Sequence, residues 1–164
     1  MKKKELKVRM EDLLQTAKVI LEKDGKIVPM AFVYHHNTVD IMAMLFRDRD
    51  EKNKQLSVLR DIVKKKNADA IFIVTESWFV TTDSSSPLNI EPSKDPRRKE
   101  CIMMMGECED GNDTIIQIFD REGGKENGKI IFREKIDWKE SISWKFNFGI
   151  KDRKKQKIDL KDLN

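Results

Sequence analysis

Glu76, Arg97, Arg98 and Glu100 are the side chains whose types and spacing could do chemistry together. Glu76 follows an apolar run, and the other three lie together at the far end of a long polar stretch. Two carboxylates can serve as general acid and base or bind a metal ion, and arginine forks bind phosphate or carboxylate groups. Together with Trp78, these residues form the candidate binding site, and a hydrolase with an arginine anion clamp is one hypothesis for it.

A structural role for the same residues is the favoured interpretation. Buried carboxylates are commonly paired, so Glu76 would bond to Arg97 or Arg98 and fix the polar stretch to the sheet. Asp95 would cap a turn that Pro96 holds, and the arginines would then seal the loop to Glu76 and Glu100. The residues that could carry out catalysis could therefore equally well form an ion-pair cluster.

The stretch between the acids is itself informative, because it is too long for a tight turn. It runs from Thr81 to Lys99 and contains Pro87, Pro92 and Pro96. Loops of this length in compact domains are usually functional or disordered. The segment 75–100 is therefore predicted to be the functional surface.

The same segment carries a resemblance to a group of small prokaryotic and phage proteins of uncharacterised activity. In that group an acid two residues before a tryptophan is followed by a proline-bearing loop and a P-x-R-x-E sequence. Here the matching residues are Glu76, Trp78, Pro96, Arg98 and Glu100, in about a quarter of the chain. The resemblance implies a grouping and no particular activity.

Other potential sites are weaker. His35 and His36 form a turn near Asp40, without the spacing of a known metal site, so neither a metal nor a cofactor is predicted. Trp144 begins an alternating aromatic stripe with Phe146 and Phe148. Such a stripe could stack on single-stranded nucleic acid, but a sheet core is the favoured interpretation.

Composition limits the class of protein. Of the 164 residues, 38% are apolar and 38% are charged, as in a globular domain with a solvated surface. No apolar run is long enough to span a membrane or to act as a signal peptide. The two cysteines do not form the framework of a disulfide-bonded protein and suit a reducing compartment, so a cytoplasmic location is expected. Residues 1–9 carry a net charge of +4 and residues 151–164 carry +3, which leaves −3 for the rest. The tails could touch an anionic partner weakly.

The periodicity of the apolar residues predicts an α+β fold. Helical spacing predicts helices at about 6–23 and 49–66, and short apolar runs predict strands at 27–34, 40–47, 70–74, 101–108, 114–120 and 129–136. Strict alternation predicts one more strand at 142–150. Pro29 places its strand at an edge or near a strand start. The expected sheet is mixed or antiparallel, with five to seven strands, both amphipathic helices on one face, and a C-terminal β-meander.

These features predict a single domain over residues 1–164, with residues 1–5 and 151–164 as flexible basic tails. Since two helices on one face would leave the other face open, a homo-oligomer or a protein partner is expected to cover it near Trp144 or Trp78. The leading hypothesis is a non-enzymatic binding or self-associating domain. A hydrolase using Glu76 and Glu100 is the second, and an accessory nucleic-acid binder using the tails and Trp144 is the third.

Overall fold

A computed structural model describes residues 1–80, 92–123, 128–138 and 148–150. Within them the chain forms two α-helices, one 3-10 turn and six strands, an α+β fold as predicted. The elements in chain order are α1 Lys3–Asp24, β1 Met30–His35, β2 Thr38–Ala43, α2 Arg49–Lys65, β3 Ala70–Phe79, the 3-10 turn Pro92–Lys94, β4 Lys99–Cys108, β5 Gly111–Glu122 and β6 Lys129–Trp138. None of the described helices has the length and apolar character needed to cross a bilayer.

The strands form one sheet in the order β2-β1-β3-β4-β5-β6, and every neighbouring pair is antiparallel. The last three strands are the predicted meander. A two-residue turn joins β1 to β2, and both His36 and Asn37 have the positive φ angles that such a hairpin turn requires. Of the two positions expected for Pro29, the strand start is correct: Pro29 directly precedes β1, which lies inside the sheet between β2 and β3.

Helix α1 packs on one face of the sheet, mainly against β4. Its buried stripe, which begins with Leu6 and Met10, joins the strand residues Phe72 and Met104 in the largest core cluster. Gly106 lets the helix approach closely, since a Cβ there would lie 2.8 Å from the Met10 sulfur. The apolar stripe of α1 that the sequence predicts therefore packs closely against the sheet.

Helix α2 packs on the opposite face. The Asp48 side chain accepts the Glu51 backbone N–H and caps its first turn, and Leu59 and Val63 meet Ile71 and Ile73 in a second core cluster. The expectation that both helices share one face is therefore wrong. Side chains of β3 alternate between the two clusters, so one helix on each side explains why 70–74 is apolar on both faces without another subunit.

Several element ends differ from the sequence prediction: β1 begins at Met30 instead of 27, β2 spans Thr38–Ala43 instead of 40–47, and β3 continues to Phe79. Helix α1 begins at Lys3, three residues earlier than expected, and Met1 packs against the α1 core cluster. Strand β5 continues to Glu122, beyond the predicted end at Asp120, and this places Arg121 inside the sheet. That residues 1–5 form a flexible basic tail stays a prediction, and the tail 151–164 lies outside the described residues.

A short C-terminal segment returns to the α2 face. Phe148 and Ile150 are buried in the α2 core cluster, as the core interpretation of the aromatic stripe predicts for Phe148. Their backbone N–H groups donate to the buried Glu107 carboxylate, at 2.7 Å and 2.9 Å. Gly149 has a φ of +79°, and the described part of this segment is a bend, not the expected strand. Residues 142–147 of that strand, including Trp144, lie outside the described residues.

Candidate functional site

Glu76 and Glu100 meet at one guanidinium, that of Arg121. Arg121 Nη2 lies 2.8 Å from Glu76 Oε1, and Nε lies 3.1 Å from Glu100 Oε2. The three side chains, called the Arg121 cluster below, come from the neighbouring strands β3, β4 and β5. The Arg121 side chain is only 7% exposed. One cation between two anions gives the cluster a formal charge of −1.

The cluster also attaches the end of α1 to the sheet. Arg121 Nη1 donates to the carbonyl of Gly25, the C-cap of α1, at 2.6 Å. Glu76 Oε2 accepts the backbone N–H of Ile27 at 3.2 Å. A cation at a helix C-terminus is favoured by the helix dipole, so Arg121 serves both the acids and the helix end. Glu76 and Glu100 thus form an ion-pair cluster, as the structural interpretation expects, although their cation is Arg121.

The expected partners of Glu76 were wrong. The Arg97 guanidinium instead donates two hydrogen bonds to the Asp95 carboxylate, from Nε to Oδ1 at 3.0 Å and from Nη2 to Oδ2 at 2.7 Å. The hydrogen bonds from the Arg97 side chain and backbone lower the pKa of Asp95 to about 2. The Arg98 guanidinium lies 4.8 Å from the centre of the Trp78 ring. These two arginines therefore organise their own turn and Trp78, and Arg121 takes the role that was assigned to them.

A cleft of about 300 Å³ opens beside the cluster, between α2 and the middle of the sheet. We call it the Met103 cleft. Its described apolar lining consists of Met44, Phe46, Leu56, Ile73, Met103 and Met105, with Pro29 at its border. The predicted functional segment contributes Thr75, Glu76, Ser77, Trp78 and Glu100, and α2 contributes Lys52. An apolar hollow with a few polar groups at one side is the usual form of a binding site.

A second hollow, of about 500 Å³, lies on the other side of Trp78 and Glu100. Its described lining is more polar and includes Arg98, Lys99 and Arg121. Trp78 and Glu100 line both hollows. The structure therefore brings Glu76, Trp78, Arg98 and Glu100 to the lining of these hollows. The two acids are held by Arg121. Arg97 is absent from the described lining of both hollows.

The two histidines of the turn differ in their surroundings. The His35 side chain is 13% exposed, and its Nε2 lies 2.9 Å from Asp40 Oδ2. Lys66 Nζ approaches the same oxygen at 2.8 Å. Hydrogen bonds from Lys66 and His35 lower the pKa of Asp40. This group ties the first hairpin to the end of α2, while His36 is exposed in the turn.

Two further features bear on the alternative functions. Within the described ranges, no three His, Cys, Asp or Glu side chains are placed to hold a metal ion. The N-terminal lysines have acidic neighbours, because Lys2, Lys3 and Lys7 lie within 4.0 Å of Glu109, Asp113 and Asp137 respectively. These pairs reduce the charge that the N-terminus could offer to nucleic acid. The other parts of that hypothesis, Trp144 and residues 151–164, lie outside the described residues.

Sequence reasoning missed Arg121 because it was assigned to a turn. A signal was nevertheless present: Ile115, Gln117 and Phe119 alternate, and the next position of that series is Arg121. Extending the alternation would have placed it on the same face as the acids. The Met103 cleft had no comparable signal, because Met44 and Phe46 come from the connection between β2 and α2.

Comparison with known protein families gives a match over most of the chain. No curated protein sequence matches the chain, and no solved structure matches it. The family model described as bacteriophage lambda protein ea47 matches residues 1–137, which is most of the chain. The match supports the predicted relation to phage proteins, whereas the E-x-W and P-x-R-x-E pattern as a mark of that relation stays a prediction. The chain belongs to the family of bacteriophage lambda protein ea47.

Proposed function

We propose that this member of the family is a non-enzymatic binding domain and that its site is the Met103 cleft. The observation that carries the proposal is the cleft itself, about 300 Å³ with a largely apolar described lining, at the predicted functional segment 75–100. Cavities of this kind are the default binding sites of small domains. In this interpretation the Arg121 cluster shapes the border of the site and does no chemistry.

The lining favours a protein segment as the ligand. Met44, Met103 and Met105 are unbranched and polarizable, and such side chains adapt to differently shaped apolar groups. The border of the cleft includes Lys52 as well as Glu76 and Glu100, and Arg121 holds the two carboxylates at the end of α1, on the opposite face of the sheet. A peptide with one large apolar side chain would complement this apolar lining.

The alternative hypothesis of a hydrolase is weaker on the same geometry. Glu76 and Glu100 both bond to Arg121, and Glu76 also accepts a backbone N–H, so their oxygens are already engaged. Arg97, proposed as half of an anion clamp, is engaged by Asp95. A protein-binding role needs none of these groups to be released.

Selection from a random peptide display library tests the proposal. We expect the selected peptides to share a large apolar residue. In protein labelled at the methionine methyl groups, such a peptide should shift the NMR signals of Met44, Met103 and Met105 and leave the core residue Met10 unmoved. Ser77→Trp should fill the cleft and abolish binding.

The matched control is Val58→Trp, on the exposed side of α2. It adds the same indole far from the cleft and should leave binding unchanged. Selected peptides that shift signals elsewhere, or that bind Ser77→Trp as well as the original chain, would contradict the proposed site.

A further inference from the structure

Among the strands that the structure describes, none pairs with the outer edge of β2. β2 has five of its six residues uncharged, and its single charge, Asp40, is engaged by Lys66 and His35. The opposite edge of the sheet differs, because half of the ten residues of β6 are charged. Proteins usually guard a free sheet edge with charges or proline to prevent pairing. The guarded edge is β6, and β2 lacks those devices.

The hydrogen-bonding pattern between β2 and β1 shows which backbone N–H and C=O groups of β2 point outward. His35 and Thr38 close a two-residue turn, and the Met44 N–H donates to the Pro29 carbonyl at 2.7 Å. Even-numbered residues of β2 therefore direct their backbone groups towards β1. The N–H and C=O groups of Val39, Ile41 and Ala43 point outward, to where a seventh strand would lie.

The side chains above this edge are apolar and exposed. Val39 is 41% exposed and Ile41 is 62% exposed, and both lie on the α1 face of the sheet. Phe32 and Tyr34 of β1 are their cross-strand neighbours and are only partly buried. Helix α1 packs mainly on β4 and reaches Tyr34 through Arg9, whereas Val39 and Ile41, beyond Tyr34 and Phe32, stay exposed.

We propose that two copies of this chain pair antiparallel along β2, which joins their sheets into one. A second copy is the matching occupant because the edge complements itself about a two-fold axis. With Ile41 opposite the partner's Ile41, Val39 faces the partner's Ala43, and apolar groups meet on one face. On the other face Asp40 lies opposite the partner's Met42. A shift that sets Asp40 against the partner's Asp40 is disfavoured by like charges.

The size of the contact sets the expected affinity. One pair of six-residue strands buries less than the roughly 1,200 Å² of a standard interface, so the dimer should be weak. We expect dissociation in the micromolar range, visible as a concentration-dependent mass. This dimer does not depend on the Met103 cleft, and either proposal could fail without the other.

Sedimentation of the full chain between about 1 and about 200 μM tests the pairing in that affinity range. The mass should rise from 19.3 kDa towards twice that value. Ile41→Lys, which sets like charges opposite each other, should stay monomeric, whereas Val58→Lys, on exposed α2, should dimerise like the original chain. Circular dichroism of each variant confirms folding. A chain that stays monomeric at the highest concentration, or a dimer that persists in Ile41→Lys, overturns the proposal.

Disulfide trapping tests the register. Cα atoms of directly opposed, hydrogen-bonded residues lie about 5.5 Å apart, within reach of a disulfide. Ile41→Cys should therefore form a covalent dimer under mild oxidation, and Val19→Cys, exposed on α1, should not. The native Cys101 and Cys108 are buried and do not interfere. Failure of Ile41→Cys to cross-link, with the dimer present, overturns the two-fold pairing at Ile41.

Discussion

Arg121 Nη2 and Glu76 Oε1 lie 2.8 Å apart, and this ion pair joins the last turn of the fold's first helix to three strands. The same guanidinium bonds Glu100 and the carbonyl of Gly25, so one side chain holds β3, β4, β5 and the end of α1. A contact with this many partners differs from an isolated surface ion pair, because losing the arginine would leave two acids without a cation where they are mostly shielded from water.

Arg121→Met should strongly destabilise the protein. Removing one partner of a largely buried ion pair leaves uncompensated charges, which costs about 3 to 5 kcal/mol, and the partial exposure of Glu76 and Glu100 places the expected loss near the lower value. Urea denaturation of the purified variant measures this difference in the free energy of unfolding.

The matched control is Arg133→Met. Arg133 pairs with Asp120, and both side chains are about half exposed, so its loss should cost less than about 1 kcal/mol. Glu76→Gln should be intermediate, at about 1 to 3 kcal/mol, because Glu100 still neutralises Arg121. Equal denaturation midpoints for Arg121→Met and Arg133→Met would show that the cluster is not a structural centre.

Hydrophobic periodicity was enough to predict the elements of this fold. The helices and the meander follow from the spacing of their apolar residues. In the meander, for example, Ile102 and Ile115 belong to the same core cluster, and the alternation of apolar residues along each strand shows which face is buried. The placement of α2 on the opposite face was missed, because periodicity marks the buried side of a helix and does not say which sheet face it covers.

The candidate site was harder to predict because its contacts join distant parts of the chain. Glu76, Trp78 and Glu100 were named together from the sequence, and the structure places both acids against Arg121. Their cation could not be chosen by nearness in sequence, since Arg97 is closer along the chain but is held by Asp95 through a local bidentate bond. Strand register, which the pattern alone left open, brings Arg121 to the acids instead.

The buried Glu107 should hold the C-terminal segment in place. Its two oxygens accept the N–H groups of Phe148 and Ile150, and hydrogen bonds to a charged group contribute about 1.5 to 3 kcal/mol. We expect Glu107→Ala to lower the free energy of unfolding by about 2 to 4 kcal/mol, as measured in urea. Glu109→Ala, at an exposed pair with Lys2, is the control and should change it by less than about 1 kcal/mol.

Two truncations separate the segment from the tail beyond it. A chain ending at Ile150 keeps both N–H donors, and because residues 151–164 are mostly polar we expect its melting temperature to stay within a few degrees. A chain ending at Asn147 loses Phe148 and Ile150 from the α2 core cluster and should melt clearly lower. Equal melting temperatures for the two truncated chains would contradict the anchoring role of Glu107.

Both cysteines should be unreactive in the folded protein. Burial raises the pKa of the Cys101 thiol to about 12 and also raises that of Cys108, so the reactive thiolate is scarce at neutral pH. A thiol-specific chromogenic disulfide at about pH 8 should find almost no thiol in the native chain and both after unfolding in guanidinium. Val19→Cys, with an exposed thiol, provides the positive control. Fast reaction of the native chain would mean that β4 opens locally.

Asp95 should give the turn before β4 a dependence on acidic pH. Its pKa is lowered from 3.8 to about 2, chiefly by the hydrogen bonds from Arg97. A lowered folded-state pKa means that the stabilisation is fully present above about pH 4 and is lost as the pH falls towards 2. NMR titration of the Asp95 carboxyl group should give a midpoint near 2 in the original chain. In Arg97→Met the midpoint should move up towards 3.8, whereas Arg98→Met should leave it low, because the Arg98 guanidinium stacks on Trp78. A midpoint that moves equally in both variants would mean that general positive charge lowers the Asp95 pKa, rather than the specific bidentate bond to Arg97.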